Sequence, residues 1–170
     1  MGLLRYRSPT GEMRFWTLKE IVQGKPLGHA SHPMFVHFPV AFYFGTLALD
    51  ILSKVGDFPA APLAGTWLIL GAFAGSLFAV TTGLVDWFGM AARSKMKRWA
   101  TRHMLLQFAT AILFAVNLRL RWADRHVAEA ETLWIVLGAV GVAILSVGQW
   151  MGGILVYRMG MRVGTEGRTG

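Results

Sequence analysis

Cysteine is absent from all 170 residues of the chain. Its absence excludes disulfides, thiolate nucleophiles, zinc knuckles and cysteine-held iron–sulfur clusters, so any metal would need His, Asp, Glu or Met ligands. Charge is also scarce, because 15% of the residues are charged and 54% are hydrophobic. This balance lies outside the usual range of soluble domains and indicates a membrane protein of one domain.

Several motifs of catalysis and targeting are missing as well. The sequence has no G-x-S-x-G elbow, no H-E-x-x-H and no glycine-rich phosphate loop after a strand, so hydrolytic chemistry is not favoured. The first residues lack the continuous apolar run of a signal peptide, and we expect the N-terminus to be retained. The net charge of +8 falls between apolar runs. This distribution indicates membrane topology, and no nucleic-acid partner is expected.

Four apolar stretches are long enough to predict an all-α integral membrane bundle of four transmembrane helices. They cover residues 34–52, 64–85, 104–118 and 132–156. A helix needs about 20 residues to cross about 30 Å of hydrocarbon. The third stretch is shorter, so we expect the long side chains of Arg102, Arg119 and Arg121 to extend it by reaching to the membrane surface.

The distribution of Lys and Arg predicts the orientation of these spans. Thirteen of the 17 basic residues lie before span one, between spans two and three, or after span four, and four lie in the other segments. Positive charge favours the cytoplasmic side, so both termini are expected there. The predicted organisation is a cytoplasmic segment over residues 1–32, the transmembrane domain over 33–158 and a cytoplasmic tail over 159–170.

A short interfacial helix is predicted before the first span. Thr17 and Glu20 have the spacing of a capping box, with Thr17 as the N-cap and Glu20 three residues later. Trp16 and Ile21 are placed to form a hydrophobic staple, and Gly24 supplies a stop. A disordered tail with a chance match to this motif is the alternative.

Small residues recur every fourth position on two spans. They are Gly71, Gly75, Ala79 and Gly83 on span two, and Gly148 and Gly152 on span four. Such ridges allow the backbones of neighbouring helices to approach closely in lipid. A compact bundle is expected, although the same ridges are suited to a homo-oligomer or to docking on a larger membrane complex.

Polar residues gather at the predicted cytoplasmic end of the bundle. His37 shares a helix face with Ala41 and Gly45, whereas His103 begins a polar stripe that should face the interior. The remaining members of this stripe are Gln107, Thr110, Phe114 and Asn117. Because His37 and His103 lie near the cytoplasmic starts of their helices, we predict that they face each other.

Prolines shape the approach to the first span. His32 precedes Pro33 and is therefore expected to avoid the helical region, while Pro39 would free a carbonyl around Phe35 unless the regular helix begins after it. We place His29 and His32 in a bent segment that folds over the end of the bundle. Asp86, at the end of span two, is expected to join the histidines there.

Three interpretations of this polar cluster remain open. In the first, His37 and His103 hold a b-type haem, and basic residues that include Arg98 and Arg102 accept its propionates. In the second, a transition metal binds to ligands drawn from a wider set. This set consists of His29, His32, His37, His103 and Asp86. In the third, the polar groups pair only with one another, for example His103 with Asp86.

Five features of the sequence resemble the bacterial four-helix membrane family catalogued as domain of unknown function 2231. They are GHASHPMFVHFP at 28–39, Asp50, TGLVDW at 82–87, His103 and GGILVYRMG at 152–160. The resemblance covers about residues 25–163 and implies a four-span protein of the bacterial inner membrane. Some relatives are joined to Rieske-type iron–sulfur domains, which implies redox surroundings. Met159 stands where a further histidine is common in the family, so no ligand is expected from span four.

Together these observations predict an inner-membrane protein that contacts the lipid bilayer, binds haem b or a metal, and exchanges electrons with separate protein partners. We expect it not to be an enzyme with a substrate of its own. The competing prediction is a cofactor-free structural or assembly subunit of a larger membrane complex.

Overall fold

Four long helices make up most of the structure, a computed structural model that describes residues 4–8 and 11–163. They are α2 (Ser31–Val55), α3 (Ala61–Phe88), α4 (Lys95–Arg121) and α5 (Thr132–Gly153), and a π-helical turn, Ile154–Arg158, follows α5 directly. Each is long and apolar enough to cross a membrane. The predicted four-helix architecture is therefore confirmed, and α4 needs no extension to reach spanning length.

The helices form two hairpins. α2 packs along α3, and α4 packs along α5. The hairpins meet through α2 with α5 and, less extensively, through α3 with α4. α2 and α4 therefore lie diagonally across the bundle, and their inward side chains meet on its axis.

The small-residue ridges are used inside these hairpins. A Cβ atom on Gly71 would lie 2.9 Å from the ring of Phe42, and one on Gly75 would lie 3.1 Å from Pro39. Both distances are shorter than ordinary contacts, so glycine lets α2 lie directly on α3. Gly148 gives α4 the same close approach to α5, because a Cβ atom there would overlap the side-chain amide of Gln107. The ridges build a compact bundle and are covered by the chain itself.

Polar side chains are buried in the bundle and large apolar side chains face outward, as expected for a protein surrounded by hydrocarbon. Thr46, Asp50, Asn117 and Arg121 are fully buried, whereas large apolar side chains such as Phe88 face outward. The predicted polar stripe of α4 does face the interior, since Thr110, Phe114 and Asn117 are all buried. Thr46 donates to the carbonyl oxygen of Gly65, Asn117 to that of Trp134, and Arg121 to Asp50, as the absence of water in a bilayer requires.

The two hairpins are related by an internal repeat. Asp50 of α2 and Arg121 of α4 are 71 residues apart, and the same spacing separates His32 from His103 and Tyr43 from Phe114. Each pair meets across the axis: the rings of Tyr43 and Phe114 stack at 4.2 Å. α2 and α4 are thus equivalent helices about an approximate twofold axis that runs along the bundle.

The N-terminal region differs from its prediction. A β-hairpin comes first, in which β1 (Leu4–Arg7) pairs antiparallel with β2 (Met13–Trp16). The predicted interfacial helix is reduced to the five residues of α1 (Leu18–Val22). Its capping box is present, because Glu20 N donates to Thr17 Oγ1 and Thr17 N donates to Glu20 Oε2. The strands were missed because runs of four residues carry little periodicity.

The capping box is held in its charged form by a neighbouring lysine. Lys25 Nζ donates to Glu20 Oε1 at 2.8 Å. This bond, together with those from Thr17, lowers the pKa of Glu20 from 4.5 to about 2. Because the pKa is lowered on folding, the contribution of the cap is complete above pH 4.5 and is lost as the pH falls through about 2.

Candidate functional site

Two histidine rings face each other at the end of the bundle where α2 and α4 begin, which we call the histidine end. The ring centroids of His32 and His103 are 6.5 Å apart, and the ring planes are nearly perpendicular, at 89°. They occupy equivalent positions in the internal repeat and lie on the bundle axis. The structure therefore pairs His103 with His32, and this pairing replaces the predicted one with His37.

The hydrogen bonds of these rings determine their tautomers. His32 Nδ1 lies 2.8 Å from the carbonyl oxygen of Ala79, and His103 Nδ1 lies 2.7 Å from that of Gly148. A carbonyl oxygen only accepts, so each Nδ1 must donate a proton. In the neutral ring, Nε2 then keeps its lone pair, and no described residue hydrogen-bonds to either Nε2. Histidines that bind metals commonly show this arrangement.

Glycines on the partner helices provide the space for both rings. A Cβ atom on Gly83 would lie 2.8 Å from His32 Cε1, and one on Gly152 would lie 3.2 Å from His103 Cε1. Each glycine follows by four residues the carbonyl that binds the ring. The four-residue spacing of the α3 and α5 ridges thus places next to each histidine a carbonyl that accepts its hydrogen bond and a glycine that leaves space for its ring.

Substitution of Gly83 should therefore disturb His32 directly. We expect Gly83→Ala to lower the free energy of unfolding by about 1–3 kcal/mol, because the new methyl group overlaps the ring. Gly153→Ala is the matched control, since its Cβ atom would meet nothing closer than 3.9 Å. Thermal unfolding in detergent would measure the stability of both variants. Equal stability of the two would contradict the close contact between Gly83 and the His32 ring.

An apolar cavity of about 180 Å³ extends from the histidine pair towards the middle of the bundle. All four long helices contribute to its walls, and Tyr43 and Leu145 lie at its deeper part. A few polar side chains interrupt the apolar lining. They are Ser76, Gln107, Gln149, Asp86 and Arg162, in addition to Tyr43 and the two histidines. A concave apolar space with few polar groups is the usual form of a ligand site.

Asp86 closes the outer side of this cavity. Its Oδ1 accepts a hydrogen bond from Gln23 Nε2 at 3.1 Å and another from Arg162 Nε at 3.0 Å. Arg162 Nη2 also contacts this oxygen and completes an ion pair. The expected bond between Asp86 and His103 is absent. The His103 ring turns its Nδ1 to the carbonyl oxygen of Gly148, and Asp86 is hydrogen-bonded by Gln23 and Arg162 instead.

The other predicted site residues lie away from the cavity. His37 is exposed on the outer face of α2, together with Ala41. His29 is exposed before α2, and its Nδ1 lies 3.1 Å from the Ala30 carbonyl oxygen. Arg98 and Arg102 are exposed as well, and Arg98 donates to the carbonyl oxygen of Arg93. Among the described residues, no three His, Asp or Glu side chains are grouped closely enough to hold a metal ion. The predicted wider ligand set is therefore not assembled.

The sequence predicts His32 in a bent segment, but it lies in the first turn of α2. The helix begins at Ser31, and Pro33 falls within this turn, where its missing N–H would have no helical partner anyway. The preference of a residue before proline for extended backbone is modest. It is overcome here by the bond to Ala79 and by packing on Gly83.

A second polar centre lies at the opposite end of the bundle, which we call the ion-pair end. Asp50 and Arg121 form an ion pair in which both side chains are 0% exposed. Arg121 Nε donates to Asn117 Oδ1 at 2.9 Å, and its guanidinium stacks on the ring of Trp134 at 4.7 Å. The prediction that Arg121 extends to the membrane surface is therefore wrong. The matching 71-residue spacing of the acidic and basic residues is the signal that would have paired them.

These observations define a membrane protein of four apolar helices, built from two equivalent hairpins with a polar pair on the axis at each end. The chain belongs to the family described as "Predicted membrane protein (DUF2231)", whose family model matches residues 28–165. The resemblance inferred from the histidine and proline motifs is thereby confirmed. No curated protein and no solved structure matches the chain.

Proposed function

We propose that this protein holds the iron of a b-type haem between His32 and His103 and exchanges electrons with separate protein partners. The observation that carries the proposal is the opposition of two imidazole rings whose Nε2 atoms have no described partner. The ring centroids are 6.5 Å apart, so His32 and His103 are the residues that would hold the iron, each through its Nε2 atom.

The surroundings of the pair support haem more than a lone metal ion. The cavity beside the rings is apolar, as a macrocycle requires, and Arg162 at its outer side suits a propionate. Its volume of about 180 Å³ is below the roughly 300–1,000 Å³ of pockets that enclose whole ligands. A macrocycle therefore needs α3 and α4 to separate, and these two helices have the weaker contact between hairpins. A lone ion would lack a third protein ligand among the described residues.

Bound haem supplies reversible one-electron chemistry, and the chain's own residues set its conditions. The carbonyl groups of Ala79 and Gly148 fix the tautomers of the two histidines and make each Nε2 more basic. The apolar walls exclude water from the site. A low local dielectric in turn favours the form of the bound group that carries less net charge.

An absorption spectrum of the purified protein tests this proposal. The protein would be expressed in cells supplied with haem and purified from the membrane in detergent. We expect a Soret band with one haem per chain and a sharpened visible band on reduction. A protein that stays colourless after haem titration and contains no metal by elemental analysis would reject both cofactor proposals.

A cofactor-free structural subunit is the second candidate, and one observation favours it. At the histidine end, Asp86 and both Nδ1 atoms already have partners within the chain. The bundle is thus largely satisfied without any ligand. Association with a larger membrane complex would then use the outward apolar faces, because the small-residue ridges are already covered.

We further propose that the protein lies in the bacterial inner membrane with both termini in the cytoplasm. The basic residues near the histidine end support this orientation. Fluorescent-protein fusions at either terminus should be fluorescent in the cytoplasm, and alkaline phosphatase fused after Val163 should be inactive. Active phosphatase at that position would contradict the orientation.

A further inference from the structure

Two segments outside the bundle meet at one carboxylate. Gln23 precedes α2 and Arg162 follows the π-helical turn after α5, yet both hydrogen-bond to Oδ1 of Asp86 near the end of α3. Asp86 itself is only 7% exposed. The buried carboxylate therefore holds the segment before α2 and the segment after the π-helical turn in place across the histidine end of the bundle.

The segment that carries Arg162, residues 159–162, forms part of a wall between two cavities. On the inner side lies the apolar histidine cavity, and on the outer side lies a polar cavity of about 760 Å³. Four residues line both. They are Asp86, Met90, Met161 and Arg162. The wall is therefore one layer of side chains thick, and two of its four members belong to this segment.

The backbone of the segment is held by the π-helical turn as well as by Asp86. Gly160 N donates to the carbonyl oxygen of Val156, and Met161 N donates to that of Leu155. Arg162 has φ +58°, a left-handed conformation that arginine rarely adopts and that persists where surrounding contacts hold it. Among the described residues, the side chain of Arg162 hydrogen-bonds to Asp86, so removal of the ion pair should release Arg162 from its place in the wall.

We infer that residues 159–162 are a lid, latched by the Asp86–Arg162 ion pair, that controls access from the polar cavity to His32 and His103. When the pair is closed, Met161 and Arg162 lie between the outer cavity and the cavity that holds the histidines. When it opens, the outer cavity becomes continuous with the inner one, and a ligand with an anionic group can approach past Arg162. The inference concerns access alone and does not require the ligand to be haem.

The absence of cysteine allows this lid to be tested with single introduced thiols. Ala100 lines the histidine cavity and is 7% exposed, so Ala100→Cys reports on entry of a reagent. The probe is 2-hydroxyethyl methanethiosulfonate, a water-soluble reagent without charge, applied to the detergent-solubilised protein. We expect Arg162→Ala to increase the labelling rate of the Ala100→Cys thiol at least tenfold. Arg158→Ala is the control, because Arg158 is an exposed arginine of the preceding turn.

A second thiol separates opening of the lid from loosening of the whole bundle. Ala130 is 0% exposed near the ion-pair end, and labelling of Ala130→Cys should stay unchanged in Arg162→Ala. Exchanging the charges, with Asp86→Arg and Arg162→Asp together, should return the Ala100→Cys rate towards that of the parent. The inference is overturned if Arg162→Ala labels no faster than Arg158→Ala, or if both thiols accelerate equally.

Discussion

Asp50→Asn should lower the free energy of unfolding by about 3–5 kcal/mol, the expected loss when one partner of a buried ion pair is removed. The substitution leaves the guanidinium of Arg121, which is 0% exposed, without a counter-charge in the bundle. Arg121→Gln should cause a loss of similar size by leaving the carboxylate of Asp50 unpaired. Equilibrium unfolding in mixed micelles, followed by tryptophan fluorescence, would measure both variants.

The internal repeat makes a sharper test possible. Because the two positions are equivalent about the bundle axis, Asp50→Arg combined with Arg121→Asp restores an ion pair at nearly the same place. Gly65 leaves room there, since a Cβ atom on it would lie 3.1 Å from Arg121 Nη1 and 3.3 Å from Asp50 Oδ1. The double variant should therefore be more stable than either charge-reversing single variant.

Recovery in the exchanged protein should be incomplete. The environment of the pair is not symmetric, because Asn117 and Trp134 bind Arg121 but have no counterparts around Asp50. Loss of this hydrogen bond and of the stacking should leave roughly half of the destabilisation in place. Single variants within 1 kcal/mol of the parent, or a double variant worse than both singles, would show that the pair does not hold the hairpins together.

The features that follow from local composition could be predicted from the sequence. Spanning helices follow from apolar length, and the interior position of Thr110 and Asn117 follows from helical periodicity. The capping box of Thr17 and Glu20 is likewise a local pattern, and it is present even though the helix that it begins has only five residues. Each of these depends on residues within one continuous segment of the chain.

The features that were missed depend on partners distant in the chain. Local rules place His32 outside the helix and Arg121 at the membrane surface. Their actual positions are fixed by Ala79, 47 residues from His32, and by Asp50, 71 residues from Arg121. The choice between His32 and His37 likewise depends on which face of α2 meets α3. The glycine ridge of α3 decides this, because it can receive a ring only where Gly83 lies opposite.

Substitution of either histidine of the pair should have the second large effect, which is loss of haem binding. If haem binds between His32 and His103, His32→Ala and His103→Ala should each remove the Soret band, because each variant would lack one of the two residues that would hold the iron. His37→Ala should leave the band unchanged, since His37 is exposed on the outer face of α2. This set separates the pair observed in the structure from the one predicted from sequence.

Loss of the band has to be distinguished from loss of the fold, since each ring also bonds to a carbonyl and packs on glycine. Imidazole added to His32→Ala provides this control, because the substitution leaves a space next to Gly83 that a free ring can enter. We expect millimolar imidazole to restore the Soret band of His32→Ala while the helical circular dichroism stays unchanged throughout. If the Soret band survives in both His32→Ala and His103→Ala, or is lost in His37→Ala instead, the ligands lie elsewhere. If the band is lost only together with the helical circular dichroism, the two histidines have a purely structural role.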